Sequence, residues 1–235
     1  MLRLPRALFL DLDDTIIDDS SLVESGWQIA IAESVSGPDI EVLAASVFEV
    51  RDWYWSDPER HAAGRADLRA IGTWIVEEAM RRIGTLEPGV ARTIGHRYRD
   101  IREEGIVPLP GAVEAVEDLR RRGVRLALLT NGSAAGQRKK IERFDLARHF
   151  DYICVEGEFG CGKPDERVYR SALAALGAGP AETWMVGDNL EWDVAAPMRL
   201  GITGIWLDRH VKGLPATSPV TPHRVILSLT ELSEE

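Results

Sequence analysis

The chain has 235 residues, 45% of them hydrophobic, and a formal net charge of −10. That length and apolar content support one sizeable core, or a core carrying a smaller insertion, and exclude a disordered polymer. The acidic balance argues against a nucleic-acid partner, whose phosphates need clustered Lys and Arg, and the two cysteines, Cys154 and Cys161, are too few for the disulfide framework of a small secreted domain.

The opening MLRLPRALFL is positively charged and partly apolar, but it passes straight into Asp11-Leu12-Asp13-Asp14-Thr15 without a small-residue cleavage site. Residues 7–11 therefore read as a strand buried on both faces and ending in a carboxylate. No run approaches the ~18 apolar residues of a membrane helix, and the cysteine usage suits a reducing compartment, so a cytoplasmic protein without membrane contact is expected.

Residues 18–107 show helical periods and no convincing strand. Leu43, Val47, Val50 and Tyr54 fall on one helical stripe, as do Val90, Ile94, Tyr98 and Ile101. This predicts an inserted α-helical cap of about four helices, splitting a core made of residues 1–17 and 108–235. Within it lies an unusual cluster, Arg51-Asp52-Trp53-Tyr54-Trp55-Ser56-Asp57-Pro58-Glu59-Arg60-His61, followed by Gly64-Arg65. Packing between cap helices explains most such aromatics. The functional alternative is that Trp55, His61 and Arg65 select a ligand, since a cap closing over a polar ligand needs polar and aromatic contacts.

The chain re-enters the core at Pro108-Leu109-Pro110-Gly111. A helix over 111–122 places Val113, Val116 and Leu119 at helical spacing and stops at Gly123. Val124–Thr130 and Thr183–Val186 repeat the construction of the first strand, each an apolar run ending in a polar tip: Asn131-Gly132-Ser133 and Gly187-Asp188-Asn189. A helix after Pro164 buries Val168, Ala172 and Leu176. Trp184 and Trp206 sit in apolar, strand-like runs and read as core. Arg81 with Arg82, and Arg120 to Arg122, read as solvated helix faces; His96, His149, His210 and His223 share no metal-ligand spacing. Strands alternating with helices predict a doubly wound, parallel α/β sheet of Rossmann type, with ligands at the carboxyl ends of its strands.

Asp11, Asp13 and Asp14 crowd the end of a buried strand, where their charges repel unless a cation or phosphate chemistry uses them. Asp188 and Asp193 supply a second acidic tip with oxygens for a hard cation such as magnesium. Thr130-Asn131-Gly132 offers a hydroxyl, an amide and backbone N–H groups to phosphate oxygens, although Asn-Gly is also an ordinary turn. Lys163, before Pro164, adds a point charge. Cys161 is two residues away and reads as a loop cysteine.

Together these segments resemble the haloacid dehalogenase superfamily, whose pattern is DxDxT, hydrophobic-Thr, Lys and GDxxxxD. Asp11 to Thr15, Leu128 to Gly132, Lys163-Pro164-Asp165, and Gly187-Asp188 through Asp193 match the four motifs, and the helical insertion follows the first motif as in subfamily I. The resemblance implies an enzyme, a phosphoric monoester hydrolase acting on a small phosphorylated metabolite. Asp11 would be the nucleophile and Asp13 the acid and base. Mg2+ would be held by Asp11, the Asp13 carbonyl and Asp188. Thr130, Asn131, Gly132 and Lys163 would hold the phosphoryl group, and Asp193 would orient Lys163 or a metal-bound water. Dehalogenases that resemble this pattern lack an aspartate two residues after the nucleophile, so Asp13 favours phosphorus over a carbon–halogen bond. A phosphomutase, a 2-haloacid dehalogenase and a non-catalytic phosphate-binding module are the alternatives; free phosphate separates the phosphatase from the mutase, and the intact aspartates weigh against the module.

Overall fold

The apolar run that opens the chain forms β1 (Ala7–Leu10), whose four side chains are all excluded from solvent. The structure is a computed structural model that describes residues 4–232 apart from 38, 66 and 219. The chain divides into two compact units, Met1–Asp18 with Val107–Glu235, and Asp19–Ile106. After β1 it passes through β2 (Ile17–Asp18) into the second of these.

That second unit is helical: α1 (Val23–Ser34), α2 (Asp39–Trp55), α3 (Pro58–Gly64), α4 (Leu68–Arg82) and α5 (Pro88–Gly105). The predicted stripes face its core, with Leu43, Val47, Val50, Ile94, Tyr98 and Ile101 all buried and Val90 packed at the edge. Trp27 stacks on Tyr98 with ring centroids 3.7 Å apart. α4 and α5 approach so closely that a Cβ added to Gly95 would lie 2.6 Å from the Thr73 nitrogen, a distance only glycine permits. Five helices thus occupy the region read as about four. The additional one, α3, has seven residues, started by Pro58 and capped by the Asp57 side chain, which accepts the Arg60 N–H at 2.9 Å. Such a piece is too short to display a stripe.

The chain returns through β3 (Val107–Pro108), which pairs antiparallel with β2. These short strands lie at the ends of a segment in which no strand was expected; two residues give no alternation to read. There follow α6 (Ala112–Arg121), β4 (Arg125–Thr130), α7 (Ala134–Arg143), β5 (Tyr152–Val155), α8 (Glu156–Phe159), α9 (Glu166–Leu176), β6 (Thr183–Gly187), a π-helical segment (Leu190–Ala195), α10 (Ala196–Arg199), β7 (Thr203–Leu207) and β8 (Arg224–Ile226). Six strands form one parallel sheet in the order β5-β4-β1-β6-β7-β8. Phe9, Ala127, Met185 and Cys154 from the strands pack against Val168, Tyr169, Ala172 and Leu176 of α9, a layer of helix on sheet that buries both apolar faces. The parallel, doubly wound sheet is the one the alternating pattern predicted. No helix of the described residues is long and apolar enough to cross a membrane.

Candidate active site

Counted in chain order within the sheet, the strands lie 3-2-1-4-5-6, so the winding reverses on either side of β1. Connections leave a crevice outside the carboxyl ends of strands at such a switch point. In register, Leu10 lies beside both Leu128 of β4 and Val186 of β6. The ends of the three strands, Asp11, the Thr130 tip and the Gly187-Asp188 tip, are therefore brought to one rim, although Asp188 lies more than 170 positions beyond Asp11 in the chain.

Lys163 links them. Its ammonium donates to Asp11 Oδ1 at 2.7 Å and to Asp193 Oδ1 at 2.7 Å, and all three residues are buried. Burial works against the lysine charge, but the two carboxylates outweigh it and raise the Lys163 pKa. The Asp11 carboxyl is itself pushed well up, first by burial and then by Asp193, Asp188 and Asp13, with the Lys163 charge opposing. Asp193 also accepts the Asn189 N–H through Oδ2 at 3.1 Å. A Cβ on Gly187 would come within 2.2 Å of that oxygen, so the glycine is what lets Asp193 lie against β6. The Asn189 side chain caps the π-helical segment by accepting the N–H groups of Glu191 and Trp192.

Asp11, Asp188 and Asp193 each offer a carboxylate oxygen within 4.8 Å of the others. Asp188 reaches the surface, yet shielding of its carboxyl from water, together with the Asp193 and Asp14 charges, pushes its pKa up to about 7. An all-oxygen set of three carboxylates with one lysine between two of them fits a hard divalent cation. Both Asp193 oxygens are engaged, by Lys163 and Asn189, whereas the Asp188 backbone is fixed from behind, its carbonyl accepting the Trp206 indole N–H at 2.8 Å. Trp206 is thus core packing that also positions a site residue.

Thr130 is buried at the end of β4. Asn131, expected as a phosphate contact, instead clasps the Lys163 backbone: Nδ2 donates to the Lys163 carbonyl at 2.7 Å and Oδ1 accepts the Lys163 N–H at 2.8 Å. The Gly132 N–H donates to Glu156 Oε2 at 2.8 Å. Asp13 accepts from Lys140 Nζ at 2.7 Å and from Gln137 Nε2 at 2.9 Å. Gln137 also donates to the Thr130 hydroxyl. Neither α7 residue was singled out from the sequence; the one available signal is their spacing of three on the helix that follows the Thr130 tip. Arg209, equally unforeseen, donates to Asp14 at 2.9 Å and to Asp18 at 2.8 Å, tying the turn after β1 to the end of β7.

In the helical unit, Trp55, His61 and Arg65 form one cluster. The Trp55 and His61 rings meet edge to face at 5.2 Å, and Arg65 Nη1 lies 3.0 Å from His61 Nδ1. The neighbouring Trp53 carries the Arg60 guanidinium over its ring at 3.8 Å.

A family model described as haloacid dehalogenase-like hydrolase matches residues 5–201. A phosphoserine phosphatase of Thermus thermophilus is 34% identical over 88% of this chain and 90% of its own. The N-acylneuraminate-9-phosphatase of Rattus norvegicus is 27% identical over 97% of this chain and 92% of its own. A glyceraldehyde 3-phosphate phosphatase of Pyrococcus abyssi is 27% identical over 86% and 80%. Among solved structures, the magnesium-bound HAD-hydrolase YfnB of Bacillus subtilis superimposes with a TM-score of 0.74 at 21% identity, covering 99% of this chain and 98% of that one.

Proposed function

Because this chain belongs to the haloacid dehalogenase-like hydrolase family and is a hydrolase of phosphate monoesters, we propose that it is a magnesium-dependent phosphatase of a small phosphorylated metabolite, working through an aspartyl-phosphate on Asp11. The observation that carries this reading is the buried array in which Lys163 bonds both Asp11 and Asp193 while Asp188 stands beside them. An Asp11 carboxylate oxygen forms a bond to phosphorus as the bond to the ester oxygen breaks. Asp13 gives its proton to that leaving oxygen, then takes one from the water that attacks phosphorus, freeing inorganic phosphate and Asp11. Thr130 and the backbone N–H of Asn131 grip the phosphoryl group, the Gly132 N–H being held by Glu156, and Lys163 offsets negative charge on nucleophile and intermediate. Asp11, the Asp13 carbonyl and Asp188 would hold Mg2+, which when bound neutralises charge on the phosphoryl oxygens. Asp193 acts through Lys163, whose ammonium it fixes.

Incubated with a panel of phosphorylated metabolites and Mg2+, the purified protein is expected to release free phosphate, and a chelator to stop it. Mg2+ alone should also raise the melting temperature, because a ligand at about 100 times its Kd stabilises the fold by roughly 2.7 kcal/mol. No phosphate from any ester, or release and melting both indifferent to chelation, would contradict the proposal; return of the phosphoryl group to substrate would mark a mutase.

We assign choice of leaving group to Trp55, His61 and Arg65, the polar and aromatic cluster of the helical unit. Arg65→Ala is expected to raise KM on the preferred ester by roughly tenfold, the loss of about 1.4 kcal/mol of binding. Unchanged kinetics across the panel would remove Arg65 from substrate selection.

A further inference from the structure

A single amide connects the group that grips phosphate to the group that moves protons. Gln137, buried on α7, donates from Nε2 to the Thr130 hydroxyl and to Asp13 Oδ2. An amide nitrogen carries two hydrogens, and both are used. Because the Thr130 oxygen accepts one of them, its own hydrogen is left to donate elsewhere, toward an acceptor such as a phosphoryl oxygen. One helical turn further on, Lys140 donates to the other oxygen of Asp13 at 2.7 Å. Residues three apart on a helix share a face, so α7 presents a matched pair of donors to the two oxygens of one carboxylate.

Asp13 needs such support. It lies on a turn between Asp11 and Asp14, whose charges would drive an untethered carboxylate outward, and Asp14 occupies the left-handed region with φ 56°. We propose that Gln137 and Lys140 are positioning residues that fix the Asp13 side chain. This rests on the reading of Asp13 as the acid and base. Holding a proton-transfer group in place matters because a displacement of about 1 Å can cost on the order of 10²-fold in rate.

The test is dependence on the leaving group. Glycerol phosphate expels an alkoxide that must be protonated as it departs, whereas p-nitrophenyl phosphate expels a stable phenolate that need not be. Asp13→Ala is the reference. Lys140→Met and Gln137→Leu should reproduce its pattern at smaller size. On glycerol phosphate kcat/KM falls, by on the order of 10- to 100-fold. On p-nitrophenyl phosphate kcat/KM is held, because that ratio reports the step that expels the leaving group. There kcat and KM fall together, since the water attack still needs the base. Thermal melting identifies any variant that is merely unfolded. Lys140 sits nearer the surface than Gln137 and gives the cleaner readout should the buried glutamine not tolerate leucine.

If Asp13→Ala discriminates between the two esters while folded Lys140→Met and Gln137→Leu lower both equally or neither, the positioning role is overturned and the assignment of Asp13 stands. If Asp13→Ala itself fails to discriminate, that assignment falls and takes the positioning role with it.

Discussion

Replacing Asp11 with asparagine should abolish phosphate release while leaving the fold intact. The amide keeps the shape of the carboxylate, and its carbonyl still accepts from Lys163, but it cannot displace an alkoxide from phosphorus. Removing a covalent nucleophile costs on the order of 10⁴- to 10⁶-fold in kcat. Burial and the neighbouring acids hold the Asp11 pKa well above its ordinary value, so the folded protein disfavours charge at this position and a neutral amide relieves it. Asp11→Asn should therefore stay folded, since the charge it removes is one the fold disfavours while Lys163 keeps Asp193 as a partner. Initial rates on an aryl phosphate, paired with thermal melting, check both halves. More than about a hundredth of wild-type activity in the variant would mean that Asp11 is not the nucleophile.

The second large effect belongs to Lys163. Its ammonium is almost wholly buried between two carboxylates, and removing one partner from a buried ionic group costs about 3–5 kcal/mol, because the charges left behind have neither water nor a counter-charge. Lys163→Met should lose phosphatase activity and also stability. For a chain of this size each kcal/mol shifts the melting temperature by roughly 2–4 °C, so a fall of about 6–20 °C is expected. Adding Asp193→Asn removes one of the two stranded charges and should restore part of that stability without restoring activity. Were Lys163→Met to melt within about 1 °C of wild type, the buried array would not be the electrostatic unit described above.

These expectations draw on features unequally legible in the sequence. β1, β4 and β6 were readable because each is an apolar run, buried on both faces, that stops at a polar tip. β5 was not, since Tyr152 and Ile153 are only half-buried, and the three residues of β8 leave no period to count. Strand order cannot be read from spacing at all; it becomes visible once chain positions beyond 120 are seen to flank β1. Within the site, Asp11, Lys163, Asp188 and Asp193 could be named because each occupies a motif position. Asn131 occupies one too, yet its side chain serves the Lys163 backbone, a distinction that residue type does not carry. Gln137 and Lys140 escaped because polar residues on a helix after a turn look like a solvated face. Only the parallel pairing of β1 with β4, which brings the start of α7 over the turn after β1, shows that they face Asp13.

The covalent route can be read directly from the protein in mid-turnover. Acid quenching during hydrolysis, followed by digestion and peptide mass spectrometry, should find a phosphoryl adduct on the peptide that begins the α/β core, localised to Asp11 and absent from the Asp11→Asn variant. An enzyme that releases phosphate from the same ester but carries no adduct at any quench time, or carries it on another residue, would contradict this account.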